Sequence, residues 1–435
     1  MKTALTIAGS DSLAGAGIQE DLKVFATLGV YGTSVITAVT AQNTKGIHAI
    51  KYLPEKIISG QIDSILNDIK IDAVKTGMLG NPEIAGLVYK KLKEYSVENL
   101  IVDPVLISTT GTELLSPDAL KNLKKLINIS TLATPNVYEA EILSGIKNKI
   151  NNIVDMKSAA EKIGDCIITG GDFGNNEIYD LLFFNGEFYT FKNKKNNDTI
   201  HGTGCSFSAA ITAGLSKGEN IFSAVKNAEE FTSDLIAHNF SINGAKNLKL
   251  LNPFVDLERF RIIENIQHAI ENLISYENSY KLMPQVGINI AMALPFANDL
   301  CDVAGVSGRI VKDQQRLVPV GDIKFGGSSH IGRVVLTAMK FNPQIRAVMN
   351  IKFSDDILKI CEELNLKISG FERDKQPADT KTMEWGTKTA IEDLGFVPDV
   401  IYDKGGFGKE AMIRIPGNSA TDVALVAGKI GKFLQ

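Results

Sequence analysis

The chain has 435 residues, which is too long for one ordinary hydrophobic core and predicts two or three domains. Hydrophobic residues make up 44% of the chain and charged residues 22%, a balance typical of globular rather than disordered proteins. The net charge of -4 argues against nucleic acid as the main partner, and no apolar run reaches the roughly 18 residues of a membrane-spanning helix. The four cysteines stand far apart without a CxxC pair, which indicates free thiols and a cytoplasmic location.

Residues 1 to 245 alternate strand and helix patterns, and the short apolar start is typical of a first strand rather than a signal peptide. Asn185-Gly186 lies between two aromatic-rich runs and predicts a β-hairpin. The other predicted strands and helices are residues 4–8, 15–28, 34–40, 54–67, 73–76, 83–95, 100–102, 203–215 and 221–238. This alternation predicts an α/β domain with a mostly parallel sheet.

A different region follows Pro253. Residues 257–280 form a long amphipathic stretch, which is either a linker helix or the first helix of a second domain. Strand and helix patterns resume near residue 286, at 289–294, 334–339, 347–351 and 400–402. We place the boundary between residues 245 and 265. The expected organisation is a first domain at 1–250, a helical connector at 251–284 and a second domain at 285–435.

The motif His201-Gly202-Thr203-Gly204-Cys205 follows a strand-rich segment and opens a predicted helix. Glycines let the backbone curl, and the free N–H groups of a first helical turn form an anion hole that suits a phosphoryl group in transfer. The alternative is that this glycine-rich loop only ends a strand.

Three further positions point to a nucleotide. Asp103 ends a predicted strand, where sheet enzymes of this type place ligands. Asn136 and Glu139 start a helix, either as a simple cap or with the Glu139 carboxylate holding Mg²⁺ through water beside ATP phosphates. We expect Asp103, Asn136 and Thr203 to bind ATP and Glu139 to bind Mg²⁺.

These segments carry a family resemblance. The runs ALTIAGSDSLAGAGIQEDLKVF, SVITAVTAQNT, VKTGML, DPV, TPNVYEAE and HGTGCSFSAAI resemble hydroxymethylpyrimidine and phosphomethylpyrimidine kinase, in that order over residues 3–215. The resemblance implies a ribokinase-like fold with helices on both faces of a mostly parallel sheet. It also implies ATP-dependent phosphorylation of 4-amino-5-hydroxymethyl-2-methylpyrimidine, and then of its monophosphate.

The resemblance also implies roles for single residues. Gln42 is expected to hydrogen-bond the aminopyrimidine edge, and Gly9, Asp21 and Met78 to line the pyrimidine pocket. Cys205 stands where sugar kinases of this fold carry an aspartate base. A thiol at a helix N-terminus has a lowered pKa, which would let Cys205 act as that base. The alternative is that Cys205 only fills space and that positioning of the substrates accounts for the catalysis.

The chain departs from the family pattern at three positions. Ala14 stands where the family loop often has a glycine, and Thr109 and Thr169 stand where lysines are common. The missing lysines are expected to weaken contacts with the nucleotide phosphates.

The C-terminal region contains three polar, glycine-rich clusters, at residues 302–310, 325–330 and 403–410. Glycines with Arg309, Lys404 and Lys409 suit an anionic ligand, and we expect the three clusters to form one anion site. His330 is either a hydrogen-bond or proton donor to that anion or a structural histidine.

A second resemblance covers residues 285–428. VAGVSGRIV, FGGSSH, RAVMNIKF, the Glu372-Arg373 pair, TMEWG and PDVIYDKGGFGKE resemble the archaeal-type thiamine phosphate synthase domain. The resemblance implies a three-layer α/β/α sandwich that joins hydroxymethylpyrimidine diphosphate to hydroxyethylthiazole phosphate and releases pyrophosphate. Arg309 and His330 are then catalytic, with Lys404, Lys409 and Mg²⁺ supporting the leaving pyrophosphate. Trp385 packs either the pocket or the core.

Two alternatives stay open at this point. The second domain can instead be a non-catalytic sensor of thiamine intermediates, and the first can be a kinase for pyridoxal or a sugar. The expected partners are small molecules, namely hydroxymethylpyrimidine, its phosphates and hydroxyethylthiazole phosphate, with no nucleic acid and no membrane. A homodimer is expected.

Overall fold

The computed structural model divides the chain into two units, Met1–Pro253 and Phe254–Gln435. The structure describes residues 1–107, 111, 114–146, 149–174, 176–196, 198, 200–242 and 248–434. Within these residues no helix combines the length and apolar character needed to cross a bilayer.

The first unit contains a nine-stranded sheet with the order β3-β2-β1-β4-β5-β6-β7-β8-β9. The six central strands are mutually parallel, and β3, β8 and β9 are antiparallel to their inner neighbours. The strands of this unit, including the small β10–β11 pair, are β1 (Thr3–Ser10), β2 (Tyr31–Asn43), β3 (Gly46–Tyr52), β4 (Ala73–Thr76), β5 (Leu100–Val102), β6 (Leu132–Ala133), β7 (Cys166–Asp172), β8 (Glu177–Phe184), β9 (Glu187–Lys194), β10 (Ile200–His201) and β11 (Lys249–Leu250). The predicted hairpin is confirmed: Asn185 and Gly186 connect β8 and β9 with φ angles of 50° and 82°.

Helices cover both faces of this sheet. Side chains alternate between the faces, so that Leu100 and Val102 of β5 contribute to one core and Ile101 to the other. The first core includes helices α2 to α6, and the second includes α1, α7 and α8. The helices are α1 (Gly17–Thr27), α2 (Glu55–Leu66), α3 (Pro82–Glu94), α4 (Leu120–Ile127), preceded by a 3₁₀ turn at Pro117–Ala119, α5 (Val137–Ser144), α6 (Ile153–Ile163), α7 (Thr203–Ser216) and α8 (Ile221–Ala237). The predicted arrangement, a mostly parallel sheet between two helix layers, is confirmed.

The second unit contains a seven-stranded sheet with the order β16-β13-β12-β17-β20-β19-β18. Only the β18–β19 pair is parallel. The strands, with the separate β14–β15 hairpin, are β12 (Ile290–Ala293), β13 (Val303–Val306), β14 (Arg309–Asp313), β15 (Arg316–Val320), β16 (Ile323–Phe325), β17 (Ala347–Lys352), β18 (Ile368–Phe371), β19 (Val400–Asp403) and β20 (Met412–Gly417).

Two helix layers enclose this second sheet. In β17, Met349 and Ile351 pack with α9, α11 and α13, whereas Val348 packs with α10 and α12 on the opposite face. The helices are α9 (Val255–Ser275), α10 (Ser329–Phe341), α11 (Asp355–Glu363), α12 (Thr382–Leu394) and α13 (Ala420–Phe433), with 3₁₀ turns at Ser279–Leu282, Leu300–Asp302 and Arg373–Lys375. The alternation gives the three-layer α/β/α sandwich that the resemblance implied.

Helix α9 is not a free connector between the units. Its buried side chains, including Val255, Ile262 and Ile266, belong to the core of the second unit. The segment that we expected to link two domains therefore forms one helix layer of the C-terminal sandwich. The sequence left this alternative open because an amphipathic helix does not show which surface covers its apolar face.

Candidate active sites

The first unit has a cavity of about 410 Å³ at the carboxyl ends of its parallel strands. Four strands contribute a residue at or just beyond their ends, namely Gly9, Lys75, Asp103 and Thr134, and β7 contributes Thr169 from within the strand. Ligands of open α/β sheets bind at this edge because several strand ends and loops converge there. The volume is in the range of small-molecule sites.

Helix α7 begins at this cavity. Gly202 precedes the helix with φ of 89°, and a Cβ atom there would lie 1.9 Å from the Gly15 carbonyl oxygen, so only glycine fits. Gly202, Thr203, Gly204 and Cys205 all line the cavity. The N–H groups of a first helical turn have no intrahelical partner and carry the positive end of the helix dipole. The motif therefore places a helix N-terminus, and not only the end of a strand, at the cavity wall.

The Cys205 thiol does not have the lowered pKa that its position at a helix N-terminus suggested. Burial raises the pKa of Cys205 to about 12; Lys75 and the Gly17 N–H oppose this rise, and Asp21 and Asp103 add to it. The expectation was wrong because it considered the helix dipole without the burial and the nearby carboxylates. The thiol is therefore neutral near neutral pH.

Lys75 lies at the cavity and was not singled out from the sequence. Its fully buried ammonium group is ion-paired with Asp21, lies 3.8 Å from Asp103 Oδ2, and donates a 3.5 Å hydrogen bond to the Cys205 carbonyl. Burial alone would lower the pKa of Lys75, but the Asp21 and Asp103 carboxylates raise it. Lys75 could have been found from the sequence as a lysine within the buried strand β4, because buried lysines are rare unless they are paired.

Three of the four predicted pyrimidine contacts line the cavity: Gly9, Gln42 and Met78. The fourth, Asp21, does not. Its fully buried carboxylate accepts a 2.6 Å hydrogen bond from Thr6 Oγ1 and pairs with Lys75, so a substrate has no access to it. Asp21 acts on the site from behind, through its ion pair with Lys75 and its charge near Cys205. Gly9 packs against Met78, because a Cβ atom at Gly9 would lie 3.0 Å from the Met78 Sδ atom.

Gln42 belongs to a polar chain that the sequence did not reveal. Its amide nitrogen lies 3.1 Å from His201 Nε2, and that Nε2 atom lies 3.0 Å from Asp11 Oδ2. The Asp11 carboxylate also accepts three backbone N–H groups of the following loop. Although burial opposes the shift, the His201 contact and the Leu13 and Ala16 amides lower the pKa of Asp11. The charged Asp11 thus fixes His201 beside the Gln42 amide.

Asp103, Asn136, Thr203 and Glu139, the predicted nucleotide and metal residues, all line the same cavity. Asn136 and Glu139 form a capping box, with the Asn136 Oδ1 atom accepting from the Glu139 N–H at 2.9 Å and Glu139 Oε2 accepting from the Asn136 N–H at 3.0 Å. Glu139 therefore forms the helix cap that the sequence allowed. It also lines the cavity.

The residues of this wall fit a magnesium ion that is held mainly by phosphate oxygens and water. No group of three or more His, Cys, Asp or Glu side chains is arranged around a metal position in the part of the chain that the structure describes. Burial, with Asp103 nearby, raises the pKa of Glu139 to about 8, and burial also raises the pKa of Asp103. Two neighbouring buried carboxylates of this kind are stabilised by a cation.

The three departures from the kinase pattern fall in different places. Ala14 has φ of 59°, in the left-handed region that favours the glycine of the family loop. Thr169 lines the cavity, so threonine in place of the lysine that is common in the family changes the cavity wall. Thr109 lies outside the described residues.

The second unit has its own cavity, of about 250 Å³. All three glycine-rich clusters contribute to its wall: Arg309 from the first, Ser328 and His330 from the second, and Lys409 from the third. Ser328 precedes the first turn of α10, so a helix N-terminus also faces this site. Lys404 is exposed and does not line the cavity. The predicted anion site therefore keeps Lys409 and loses Lys404.

His330 lies in a strongly positive environment. Burial, together with the charges of the neighbouring arginines Arg414, Arg373, Arg309 and Arg333, lowers the pKa of His330 to about 4. Water reaches the ring on its exposed side and weakens part of this effect, but the direction keeps His330 neutral at neutral pH. His330 can donate one N–H hydrogen bond there, but it is not a cationic acid.

Trp385 belongs to the core rather than to the cavity. It packs edge-on against Phe371 at 5.9 Å between ring centroids, within the cluster beneath α10 and α12. This decides between the two alternatives that the sequence left for this residue.

The fold and cavity of the first unit define a small-molecule kinase of the ribokinase-like class, and the second unit is an α/β/α domain with a cationic site. Residues 11–249 match the family model of phosphomethylpyrimidine kinase, and residues 265–429 match that of thiamine-phosphate synthase ThiN. The chain belongs to the family of bifunctional thiamine biosynthesis proteins that combine these two domains.

Individual relatives agree with this assignment. The bifunctional thiamine biosynthesis protein ThiDN of Methanocaldococcus jannaschii is 39% identical over 425 residues, which cover 96% of each chain. The hydroxymethylpyrimidine/phosphomethylpyrimidine kinase of Bacillus subtilis is 44% identical over 55% of this chain and 90% of its own length. Among solved structures, an ADP complex of Bacillus subtilis pyridoxal kinase has a TM-score of 0.55 and 35% identity, and covers 58% of this chain and 98% of that one. The chain is thus a bifunctional enzyme of thiamine biosynthesis, with kinase and synthase domains.

Proposed function

We propose that the first unit binds the aminopyrimidine against Gln42 and Met78 and the ATP phosphates at the start of α7. The observation that carries this proposal is a single cavity that holds both the Gln42–Met78 wall and the Gly202–Cys205 turn. A side-chain amide can donate to a ring nitrogen or accept from an exocyclic amine, as an aminopyrimidine requires.

Phosphoryl transfer at this site depends on positioning and charge. The substrate hydroxyl oxygen forms a bond to the γ-phosphorus as the bond to the ADP oxygen breaks. The N–H groups at the start of α7 stabilise the charge on the moving group. Because the Cys205 thiol is neutral, we assign the hydroxyl proton to the phosphate or to solvent late in the step, rather than to a thiolate. Asp103 and Glu139 would hold Mg²⁺, which neutralises phosphate charge.

In the second unit we propose that Arg309, Lys409 and the start of α10 bind the pyrophosphate that leaves. The bond between the pyrimidine CH₂ carbon and the diphosphate oxygen breaks with help from the ring amino group, and the thiazole nitrogen then forms its bond to that carbon. Preorganised cations and N–H groups stabilise the charge that develops on the leaving group. Neutral His330 adds one hydrogen bond.

Pyridoxal is a second candidate substrate of the kinase unit. The observation that favours it is the likeness to pyridoxal kinases, which are 34–35% identical and have TM-scores of 0.52 to 0.55. Parallel assays with the pyrimidine alcohol and pyridoxal, at equal concentrations, decide between them. We expect kcat/KM to favour the pyrimidine, and a preference for pyridoxal would overturn this part of the proposal.

The decisive experiment incubates the purified chain with the pyrimidine alcohol, hydroxyethylthiazole phosphate, ATP and Mg²⁺ and identifies the products by mass. Gln42→Ala should raise KM for the pyrimidine and leave KM for ATP nearly unchanged. Arg309→Ala should stop thiamine phosphate formation at the diphosphate, so that this intermediate accumulates. If wild-type protein also stops at the diphosphate, the second unit is a sensor and not a synthase.

The predicted homodimer, the cytoplasmic location and the two domains at 1–250 and 285–435 remain predictions. The connector expected at 251–284 does not, because its helix α9 packs in the core of the second unit.

A further inference from the structure

Arg373 lines the cavity of the second unit, although no role was assigned to it from the sequence. Its guanidinium contacts Asp403 side-on, with Nε donating to Oδ1 at 2.6 Å and Nη2 donating to Oδ2 at 3.1 Å. The Nη2 group also contacts the Glu410 carbonyl oxygen at 3.4 Å. The third nitrogen, Nη1, has no hydrogen bond to any residue that the structure describes.

Asp403 is the buried centre of this arrangement. Its side chain has no exposed surface, lies 2.8 Å from Arg414 Nη1, and accepts a 2.9 Å hydrogen bond from the Gly405 N–H. Burial alone would raise the pKa of Asp403, but the hydrogen bond from Arg373 and the charge of Arg414 lower it. The carboxylate is therefore charged and holds both a cavity arginine and the start of the glycine-rich loop.

The charges in this group do not balance. Two guanidinium groups, Arg373 and Arg414, share the single Asp403 carboxylate, which leaves one positive charge among these three side chains. The Glu410 carboxylate also lines the cavity, but its oxygens accept the Gln285 and Val286 N–H groups. Arg414 is fully buried, with its guanidinium 5.5 Å from the Phe371 ring, so it has no access to solvent or substrate. Only Arg373, at the cavity wall, can offer the excess charge to an anion. An unbalanced positive charge at a cavity is stabilised by a bound anion.

We propose that Arg373 is a third phosphate-binding cation of the synthase site, beside Arg309 and Lys409, and that Asp403 is its positioning residue. The ligand is a phosphate ester, either the diphosphate that leaves or the phosphate of the thiazole substrate. This inference rests on the proposed synthase function of the second unit.

The geometry requires arginine rather than any cation at this position. The side-on pair uses Nε and Nη2 for Asp403 and leaves Nη1 for the ligand, which a lysine ammonium cannot reproduce. Arg373→Lys keeps the positive charge but cannot contact Asp403 and the ligand with separate nitrogens. The substitution therefore distinguishes the effect of donor orientation from the effect of charge. A hydrogen bond to a charged group contributes about 1.5–3 kcal/mol, which corresponds to roughly 10- to 150-fold in affinity.

The test measures KM for each phosphate substrate separately, together with kcat and the Kd of inorganic pyrophosphate, in Arg373→Lys. We expect one of the two KM values to rise at least about 10-fold while the other changes less than about three-fold. A change in the diphosphate KM and in pyrophosphate binding assigns Arg373 to the leaving group. A change in the thiazole phosphate KM alone assigns it to the acceptor phosphate. Arg316→Lys is the matched control, because Arg316 is exposed on the β14–β15 hairpin, outside the cavity wall.

Asp403→Asn and the double variant test the positioning role. If Asp403 acts through Arg373, Asp403→Asn should raise the same KM, and the double variant should be no worse than Arg373→Lys alone. Additive losses, or equal changes in both KM values with unchanged pyrophosphate affinity, would show that the pair is only structural. If Asp403→Asn does not fold, Arg373→Lys alone still decides. Wild-type chain that makes no thiamine phosphate refutes the synthase proposal, whereas active wild-type with an unaffected Arg373→Lys refutes only this inference.

Discussion

The ammonium group of Lys75, a residue of the kinase cavity wall, forms a buried ion pair with the Asp21 carboxylate behind it. Neither side chain has any exposed surface, and the same ammonium group contacts the Cys205 carbonyl at the start of α7. The pair therefore joins strand β4 and helix α1 to the first turn of α7. Asp21 supports the site from behind and does not contact the substrate.

Lys75→Met should destabilise the first unit by about 3–5 kcal/mol, because it leaves the Asp21 and Asp103 carboxylates buried without their cation. Thermal or urea unfolding of the full chain, followed for the kinase transition, measures this loss. Lys91→Met is the matched control, since the Lys91–Asp63 pair lies near the surface and should matter much less. Equal effects of the two substitutions would contradict the role of the buried pair.

Cys205→Ala should lower kcat for pyrimidine phosphorylation by less than about ten-fold and leave pyrimidine binding intact. A general base typically contributes about 10²–10⁴-fold, but a thiol with a pKa of about 12 is not a thiolate at neutral pH. Alkylation at pH 8 gives an independent check, in which exposed Cys301 should react and Cys205 should not. A loss of kcat above 100-fold in Cys205→Ala, with unchanged KM, would instead show that Cys205 is the base.

The second unit should lose stability as the pH falls from about 6.5 to about 4. In the unfolded chain a histidine binds a proton near pH 6.5, whereas the folded pKa of His330 is about 4, so the unfolded state binds more protons between these values. His330→Asn should flatten this part of the stability curve, and His268→Asn, at an exposed position outside the cavity, should not. Added pyrophosphate should raise the His330 pKa, which NMR of the imidazole can follow. An unchanged slope in His330→Asn would show that another group titrates.

Separation of the chain between Pro253 and Phe254 should give two fragments that fold, one phosphorylating the pyrimidine twice and the other forming thiamine phosphate from supplied diphosphate. Every residue proposed for either site lies within one unit. A cut at residue 265 is the control, since it removes Val255 and Ile262 from the core of the second unit at about 1.5–3 kcal/mol each. If folded fragments from the first cut are inactive alone and active when mixed, the sites depend on each other.

Local patterns predicted much of the fold, because they act over short stretches of chain. The Asn185-Gly186 turn needs positive φ at two positions, and the aromatic runs on either side pair as strands. The glycines around Cys205 likewise indicated a helix that opens at a strand end. In the second unit, three separate glycine-rich clusters correctly indicated one shared cavity.

The sequence by itself determined the order of the elements, the two domain classes and the segments that carry chemistry, since each depends on residues that are neighbours along the chain. Only the tertiary structure showed that Asp21 pairs with Lys75 across 54 positions and that Arg373, Asp403 and Arg414 form one charged group. It also reversed the expected pKa shift of Cys205, because burial and distant carboxylates outweigh a helix dipole. The physical reason is that desolvation and charge pairing depend on distances through space, which sequence spacing does not encode.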